Sequence, residues 1–248
     1  MKPSGNKQEG EATPSETRQS DPAPTADSTT IGSGYGKPLP GRPVLPGRPV
    51  IGVLAIQGDF EAHATALREA GADPVLVRKP EQLDDIGGLI IPGGESTTFL
   101  KFLERDGFLA ALQSFVSSKP TFGTCAGCIL LAKEVTHPAQ ASLGVLDATV
   151  ERNAYGRQID SAIETTDTKL PGGPMELVYI RAPRIIKTGP AVGVLAERDG
   201  FPVLVEQGHI LAATFHPELS ADRRVHRRFV DLVREHASLR SSDKPARS

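Results

Sequence analysis

The chain has 248 residues, 28 lysines and arginines against 30 aspartates and glutamates, and a formal net charge of −2. This balance offers no electrostatic attraction for nucleic acid or an acidic membrane surface, and no apolar run is long enough to span a bilayer. Two cysteines cannot build a disulfide framework, so we expect core residues, ligands or nucleophiles in a reducing compartment, the cytoplasm.

Residues 1–49 differ in composition from the rest of the chain. They contain nine of its 21 prolines and few large apolar side chains. Such a segment cannot bury enough surface to offset the entropy cost of ordering, so we expect a disordered, low-complexity and dispensable extension. Residues 238–248 form a short polar tail, which leaves one folded domain over residues 50–237.

The first half of this domain alternates predicted strands with predicted helices. Continuous apolar runs indicate strands buried on both faces, and apolar residues spaced by three or four indicate helices. Strands are predicted at 50–56, 74–77, 88–91 and 121–124, and helices at 60–70, 96–117 (broken near Gly107) and 126–134. This order predicts an α/β fold, an open, mixed and mainly parallel sheet flanked by helices on both faces.

Beyond residue 143 the pattern changes to short strands separated by Gly/Pro turns. These strands are predicted at 144–152, 161–166, 175–180, 192–197, 203–206 and 210–215. We expect them to add a mixed or antiparallel extension to the sheet. The last helix is predicted over residues 222–236, with a single apolar stripe.

Cys125 stands in the segment Gly-Thr-Cys-Ala-Gly, directly after a predicted strand and directly before a predicted helix. This is the pattern of a nucleophile elbow, in which flanking glycines permit a sharp turn and the side chain projects over the carboxyl edge of the sheet. The helix N-terminus supplies partial positive charge that favours a thiolate. The alternative is a small buried hydrophobic residue, which is what most free cysteines are.

His216 and Glu218 follow the last predicted strand, in the segment Phe-His-Pro-Glu. In an extended stretch, residues i and i+2 point the same way, so both side chains can face one site. A carboxylate beside an imidazole fixes the ring's tautomer and stabilises its protonated form, as the third member of a catalytic triad does. Such a pair alone is more often structural, but the cysteine elbow upstream favours catalysis.

A glycine turn follows the third predicted strand, in the segment Pro-Gly-Gly-Glu-Ser over residues 92–96. The carboxyl edge of an open α/β sheet is where ligands bind. The N–H groups of this turn can form one arm of an oxyanion hole, with the N–H of Ala126 as the other. The alternative is an ordinary turn in which Ser96 caps the helix. It is not a phosphate-binding P-loop, because no Gly-Lys-Ser/Thr follows.

Cys128 makes a formal Cys-x-x-Cys pair with Cys125. A metal site would need a second such pair or clustered histidines, and the sequence has neither. We therefore expect no metal and interpret Cys128 as a core-facing residue of the helix.

With these segments in this order, the chain resembles the class I glutamine amidotransferases, which have a flavodoxin-like core, over about residues 50–236. Within that class it is similar to the glutaminase subunits of pyridoxal 5′-phosphate synthase. The marker of this subfamily is Val-Glu-Arg-Asn at 150–153, followed by Gly-Arg-Gln at 156–158, Ser161, and Ile-Arg-Ala-Pro at 180–183. The chain departs from the family in its extension and in Cys128, where an aliphatic residue is usual.

The resemblance implies hydrolysis of L-glutamine to L-glutamate and ammonia through a thioester, for vitamin B6 biosynthesis, with no cofactor on this chain. It implies Cys125 as the nucleophile, His216 as the acid and base, and Glu218 as the residue that orients the histidine. The implied oxyanion hole consists of the N–H groups of Gly94 and Ala126. The implied glutamine-binding residues are Gly94, Glu95, Ser96, Arg152, Ile180 and Arg181. The implied partner is the barrel-shaped synthase subunit, which receives the ammonia.

Two alternatives stay open on the sequence. One is the glutaminase of a different synthase, such as the one making imidazole glycerol phosphate, although the block at 150–153 disfavours it. The other is a non-catalytic regulatory subunit with the same fold, although all three residues of the triad are present in the sequence.

Overall fold

The computed structural model describes residues 47–104, 107–152, 154 and 161–242 of the chain. The extension predicted over residues 1–49 lies outside these ranges except for its last three residues, and so do the predicted tail beyond residue 242 and residues 156–158 of the family block. Arg48 contacts the folded domain, because its guanidinium donates to the carbonyls of Arg68 at 2.7 Å and Ala72 at 2.8 Å. The division of the chain into three parts stays a prediction.

The first half of the domain alternates strands and helices, as predicted. The elements are β1 (Val50–Leu54), α1 (Phe60–Glu69), β2 (Asp73–Val77), β3 (Gly88–Ile91), α2 (Ser96–Leu103), α3 (Phe108–Val116), β4 (Thr121–Thr124) and α4 (Ala126–Leu131). The predicted break in the long helix is confirmed at Gly107, whose positive φ of 73° suits a residue without a side chain.

The second half is rich in short strands and ends in a long helix. The elements are β5 (Ala132–Thr136), β6 (Leu146–Glu151), β7 (Ser161–Thr166), β8 (Met175–Ile180), β9 (Arg184–Thr188), β10 (Gly193–Arg198), β11 (Phe201–Gln207), β12 (Ile210–Ala213) and α5 (Arg224–Ser242). Across the described ranges, none of the helices has the length and apolar character needed to cross a membrane.

A seven-stranded sheet forms the centre of the domain, in the strand order β10-β11-β12-β4-β3-β1-β2. The strands from β12 to β2 are parallel to their neighbours, and β11 and β10 continue the sheet with antiparallel pairs. Strands β3, β4 and β12 are buried along their whole length, as expected for central strands covered on both faces. This architecture confirms the predicted α/β fold.

Helices cover both faces of the sheet and divide the core into two parts. On β3, Leu89 and Ile91 belong to one apolar cluster, whereas Ile90 belongs to the other. Since successive strand residues point to opposite faces, the two clusters lie on opposite sides of the sheet. The Leu89 side is covered by α2, α3 and α4, and the Ile90 side by α1 and α5.

Three of the six strands predicted beyond residue 143 do not extend the central sheet, namely those at 144–152, 161–166 and 175–180, whereas the last three belong to it. Strands β5, β6 and β9 form a separate three-stranded sheet, and β7 and β8 form a two-stranded one. Burial alternates along β6 and β8, so each strand has one well-covered face. A one-sided pattern suits a small sheet at the surface better than a central position in a sheet covered by helices on both sides.

The predicted bounds of two helices are also wrong. The helix predicted over residues 126–134 ends at Leu131, and the next five residues form β5. Lys133 and Glu134 favour a helix locally, but the pairing of β5 with β6 overrides that preference. Helix α5 begins at Arg224, two residues later than predicted, and continues six residues beyond its predicted end.

Candidate active site

The turn between β4 and α4 places Cys125 at the carboxyl edge of the sheet. Cys125 directly precedes the first turn of α4, and its backbone has φ 49° and ψ −103°. A positive φ is strained for a residue with a side chain and is typical of a nucleophile held at a sharp strand-to-helix turn. Its N–H donates to the carbonyl of Ala213 at 2.9 Å, which ties the elbow to β12.

Close backbone contacts require the two glycines that flank the elbow. A Cβ atom on Gly123 would lie 2.6 Å from the backbone of Gly127, and one on Gly127 would lie 2.0 Å from the carbonyl oxygen of Ile91. A real side chain cannot make contacts this short. Helix α4 can therefore begin so close to β3 and β4 only because both positions are glycine.

His216 and Glu218 lie together directly after β12. Nδ1 of His216 is 2.8 Å from Oε1 of Glu218, whose side chain is buried. The backbone N–H of His216 donates to the carbonyl of Val178 in β8 at 2.8 Å, and a short 3₁₀ turn, Pro217–Leu219, follows. The imidazole and the carboxylate thus face each other, as their spacing predicts.

Cys125 and His216 interact at the sheet edge. Burial lowers the pKa of His216, but the hydrogen bonds and negative charges of Cys125 and Glu218 outweigh burial and raise this pKa to about 10. The ring is therefore protonated at neutral pH. A protonated imidazole beside a cysteine favours the nucleophilic thiolate.

The glycine turn after β3 also contacts Cys125 and His216. A Cβ atom on Gly93 would lie 2.5 Å from Cε1 of His216 and 3.3 Å from Cβ of Cys125, so this glycine packs against both residues. Gly94 has a positive φ of 139°, and a Cβ atom there would lie 2.8 Å from the side chain of Gln57. Two glycines in succession therefore let the backbone approach the cysteine and the histidine closely.

The two predicted oxyanion-hole donors belong to turns that meet at Cys125. Ala126 is the next residue and occupies the first position of α4, where a backbone N–H has no acceptor within its own helix. Gly94 follows Gly93, the glycine that packs against Cβ of Cys125.

Glu95 is the N-terminal cap of α2. Its carboxylate accepts from the N–H groups of Thr97 at 3.0 Å and Thr98 at 2.6 Å. Slight burial raises the pKa of Glu95, but the hydrogen bonds of Thr98 and Thr97 outweigh burial and lower this pKa to about 2. The alternative in which Ser96 caps the helix is wrong, because the Ser96 hydroxyl donates to Oε1 of Gln140 at 2.9 Å instead.

Arg152 lies at the N-terminus of α2, just beyond the end of β6. Its Nη2 atom is 3.1 Å from Oγ1 of Thr97 and 3.6 Å from Oε1 of Glu95. Ile180 is the last residue of β8, and Arg181 follows with a positive φ of 45°. Strand β8 is also the strand that accepts the backbone hydrogen bond of His216.

Four polar residues at the site or behind it were not predicted, namely Gln57, Gln140, His63 and His226. Gln57 donates to the carbonyl of Glu95 at 2.9 Å and follows β1 at the same edge of the sheet, a position that could have identified it. His63 is buried on the apolar face of α1. Its position on that face of the predicted helix could have identified it as a histidine inside the domain.

Cys128 lies in the core, as predicted. Its side chain is fully buried in the apolar cluster on the α4 side of the sheet. Burial, and then the charge of Cys125, raise the pKa of the Cys128 thiol to about 12. Within the ranges that the structure describes, no three His, Cys, Asp or Glu side chains are grouped as metal ligands.

A mainly parallel sheet with a cysteine elbow and a His–Glu pair at the same edge is the architecture of the class I glutamine amidotransferases. A crystal structure described as that of a glutamine amidotransferase matches this chain with a TM-score of 0.69 and 48% identity, over 74% of this chain and 98% of its own. The structure of PurLQS from Thermotoga maritima, at 17% identity and a TM-score of 0.53, shares the fold alone.

The chain belongs to the SNO glutamine amidotransferase family, whose model matches residues 53–235. A Koribacter versatilis protein named pyridoxal 5′-phosphate synthase subunit PdxT is 65% identical over 184 residues, which cover 74% of this chain and 95% of that protein. A Thermotoga maritima protein of the same name is 50% identical over 186 residues, covering 74% of this chain and 99% of its own. The chain is therefore an enzyme of the glutamine amidotransferase type.

Proposed function

We propose that this chain is the glutaminase subunit of a pyridoxal 5′-phosphate synthase and hydrolyses L-glutamine to L-glutamate and ammonia for vitamin B6 biosynthesis. The observation that carries the chemistry is the position of His216, which interacts with Cys125 on one side and hydrogen-bonds Glu218 on the other. The observation that favours this synthase is the name shared by the relatives at 65% and 50% identity.

The first step is attack by the Cys125 thiolate on the side-chain amide carbon of glutamine. A carbon–sulfur bond forms, and the electron pair of the carbonyl moves onto its oxygen. The N–H groups of Gly94 and Ala126 stabilise the resulting oxyanion, because preorganised donors at the point where charge develops need no reorganisation during the reaction.

The second step releases ammonia. Protonated His216 gives its proton to the amide nitrogen, the carbon–nitrogen bond breaks, and a γ-glutamyl thioester remains on Cys125. The neutral imidazole then takes a proton from water, and the hydroxide attacks the thioester carbon. Glutamate leaves, the thiolate returns, and Glu218 stabilises the protonated ring formed in this step.

The glutamine is held at the N-terminus of α2 in this proposal. The Glu95 carboxylate suits the α-ammonium group of the substrate, and the guanidinium of Arg152, 3.6 Å from that carboxylate, suits its α-carboxylate. The other proposed contacts come from Gly94, Ser96, Ile180 and Arg181.

A second protein is needed to receive the ammonia. In bulk water most of it would be protonated and lost as a nucleophile, so a closed path to a second active site is needed. We propose the barrel-shaped synthase subunit as the partner. We place the complex in the cytoplasm, where a reducing environment keeps the catalytic thiol free.

Glutamate release measured with and without the synthase subunit tests the proposal. We expect strong stimulation by that subunit and loss of at least about 10⁴-fold of the activity in Cys125→Ala, which removes only the sulfur. Stimulation by imidazole glycerol phosphate synthase instead would identify a different partner. Failure of Cys125 to form a covalent adduct with a glutamine-like electrophile would support a non-catalytic subunit.

A further inference from the structure

A buried pair of histidines lies behind the proposed triad, and the reaction described above gives it no role. His63 on α1 and His226 on α5 have no exposed surface. Nδ1 of His63 lies 3.0 Å from Nε2 of His226, and Nε2 of His63 lies 3.2 Å from Oγ1 of Thr124. Burying two imidazoles is costly unless their polar atoms are used, so the pair needs an explanation.

The two oxygens of Glu218 face different histidines. Oε1 lies 2.8 Å from Nδ1 of His216, and Oε2 lies 3.3 Å from Nε2 of His63. Oε2 is buried and has no well-aligned hydrogen bond within the described ranges, so the contact with His63 provides polar surroundings for an otherwise bare oxygen. A buried carboxylate oxygen without such a contact is strongly destabilising.

One arrangement of protons suits these contacts. An Nε2 without hydrogen on His63 would direct a lone pair at the Glu218 carboxylate, so we assign the hydrogen to Nε2, which donates it to Oγ1 of Thr124 while Oε2 of Glu218 lies 3.3 Å from the same nitrogen. Nδ1 of His63 then accepts the Nε2–H of His226. Nδ1 of His226 is buried without a hydrogen-bond partner in the described ranges. In this arrangement it carries no hydrogen, so no buried N–H donor is left unused.

Both rings are neutral in this arrangement. Burial, and then the charges of His226 and His216, hold the pKa of His63 well below its usual value. Burial and the charge of Arg223 lower the pKa of His226 to about 3. A neutral donor can orient the Glu218 carboxylate without adding a positive charge that would compete with His216 for it.

Packing gives the pair a fixed position. The ring of Phe122 stands edge-on to both imidazoles, at 6.3 Å and 89° from His63 and at 6.1 Å and 83° from His226. Thr124, which contacts His63, directly precedes Cys125 in the chain. The pair therefore connects α1 and α5 to the nucleophile elbow as well as to the triad carboxylate.

We propose that His63 is a positioning residue for the glutaminase reaction. The polar edge of its ring, with Nε2 3.3 Å from Oε2, holds the carboxylate of Glu218 in place by electrostatic attraction, and this carboxylate in turn orients His216. His226 supports this arrangement by fixing the tautomer of His63. The inference rests on the proposed function, since it assigns His63 a role through the proposed triad.

The test compares two polar replacements of His63 that differ in reach. In His63→Gln the amide nitrogen occupies the place of Nε2 and can still donate to Glu218. In His63→Asn the amide occupies the place of Nδ1, so it can bind His226 but cannot reach Glu218. With the full chain and the synthase subunit, we expect kcat of His63→Gln within about 3-fold of wild type and kcat of His63→Asn lower by about 10–100-fold, with KM changed less than about 2-fold.

A double-mutant cycle shows whether His63 acts through Glu218. In a Glu218→Gln background the carboxylate is gone, so adding His63→Asn should lower kcat by less than about 3-fold further. Equal losses in the two backgrounds would overturn the proposal, because His63 would then act independently of Glu218. The matched control is His236→Asn, ten positions after His226 on the same helix, which should keep the wild-type kcat.

Alkylation of Cys125 by iodoacetamide over a range of pH adds a readout that does not depend on turnover. Its pH dependence should shift in His63→Asn and stay unchanged in His63→Gln and His236→Asn. Wild-type protein that releases no glutamate with the synthase subunit contradicts the proposed function, whereas identical profiles in all four proteins contradict the role of His63. If circular dichroism shows that His63→Asn does not fold, His226→Gln and His226→Asn provide the same comparison at the residue that supports His63.

Discussion

At the scale of single residues, Cys125 and Cys128 have opposite surroundings although they lie three positions apart. Cys125 stands at the start of α4 beside the protonated ring of His216, whereas Cys128 is fully buried among apolar side chains. A thiolate is stabilised by positive charge and hydrogen-bond donors and destabilised by an apolar environment. The two thiols should therefore differ greatly in reactivity.

We expect iodoacetamide to modify one cysteine of the native chain quickly and the second only after unfolding. Cys128 has a pKa raised to about 12 by burial, so it carries almost no thiolate at neutral pH. Mass spectrometry of protein labelled in buffer and in urea measures the two sites separately. Fast native labelling of Cys125→Ala would contradict this expectation, because only Cys128 remains in that variant.

The negative charge of Glu218 should also matter for the reaction. Glu218→Gln keeps the size of the side chain, and we expect kcat to fall by about 10²–10⁴-fold, because the protonated ring of His216 loses its anionic partner. Since Glu218 contributes to the raised pKa of His216, the ring should lose its proton at a lower pH than in wild type. An NMR titration of the ring measures this shift, and Glu235→Gln, at an exposed ion pair on α5, is the control.

At the scale of elements, the site depends on how closely α4 packs against the strands below it. We expect Gly127→Ala to destabilise the domain by about 1–3 kcal/mol and to impair glutamate release, because the added Cβ atom would lie 2.0 Å from the carbonyl oxygen of Ile91. Gly193→Ala is the matched control, since a Cβ atom there would lie 3.5 Å from its neighbour. Urea unfolding measures both changes, and equal midpoints for the two variants would refute the packing argument.

Strands β3 and β4 were predictable from the sequence, whereas β5 and β9 were not. Strands β3 and β4 have the predicted boundaries, 88–91 and 121–124, because each is a short segment without charged residues that is buried on both faces. Strand β9 was not predicted, and β5 was predicted as the end of a helix. Both contain exposed charged residues, so pairing with β6 and not local sequence makes them strands.

At the scale of the whole molecule, three histidines make the stability of the domain depend on pH in both directions. His63 and His226 are buried with lowered pKa values, about 3 for His226. Their contribution is complete above the unfolded pKa of about 6.5 and is lost as the pH falls below it. His216, with its pKa raised to about 10, contributes stability that is complete below about pH 6.5 and is lost as the pH rises towards 10.

We therefore expect the free energy of unfolding to be highest near neutral pH. On the acid side, His226, with its pKa lowered to about 3, should cost about 1 kcal/mol per pH unit between pH 6 and 4, since the unfolded chain binds one more proton there, and His63 acts in the same direction. Urea unfolding at a series of pH values measures the curve. His226→Gln removes one of these groups and should flatten the acid side, whereas His236→Gln, at a more exposed position, should flatten it less; equal slopes would contradict the assignment.

Contacts between residues close in the chain could be foreseen from the sequence. The glycines around Cys125, the glycine turn after β3 and the pairing of His216 with Glu218 each involve a few neighbouring residues, whose spacing and conformational freedom limit what they can form. These segments also carry the resemblance to the family, and the matching of residues 53–235 to the family model confirms that part of the interpretation.

The meeting of these segments depends on the order of strands in the sheet, which local sequence does not encode. Strands β4 and β12 are parallel neighbours in which Thr124 pairs with Ala213, so the residues that follow them reach the same edge. The contact of His63 with His226 joins positions 163 residues apart and depends in addition on two helices packing on one face of that sheet. Such long-range pairings arise from the burial of whole elements, and therefore only the folded domain reveals the support behind Glu218.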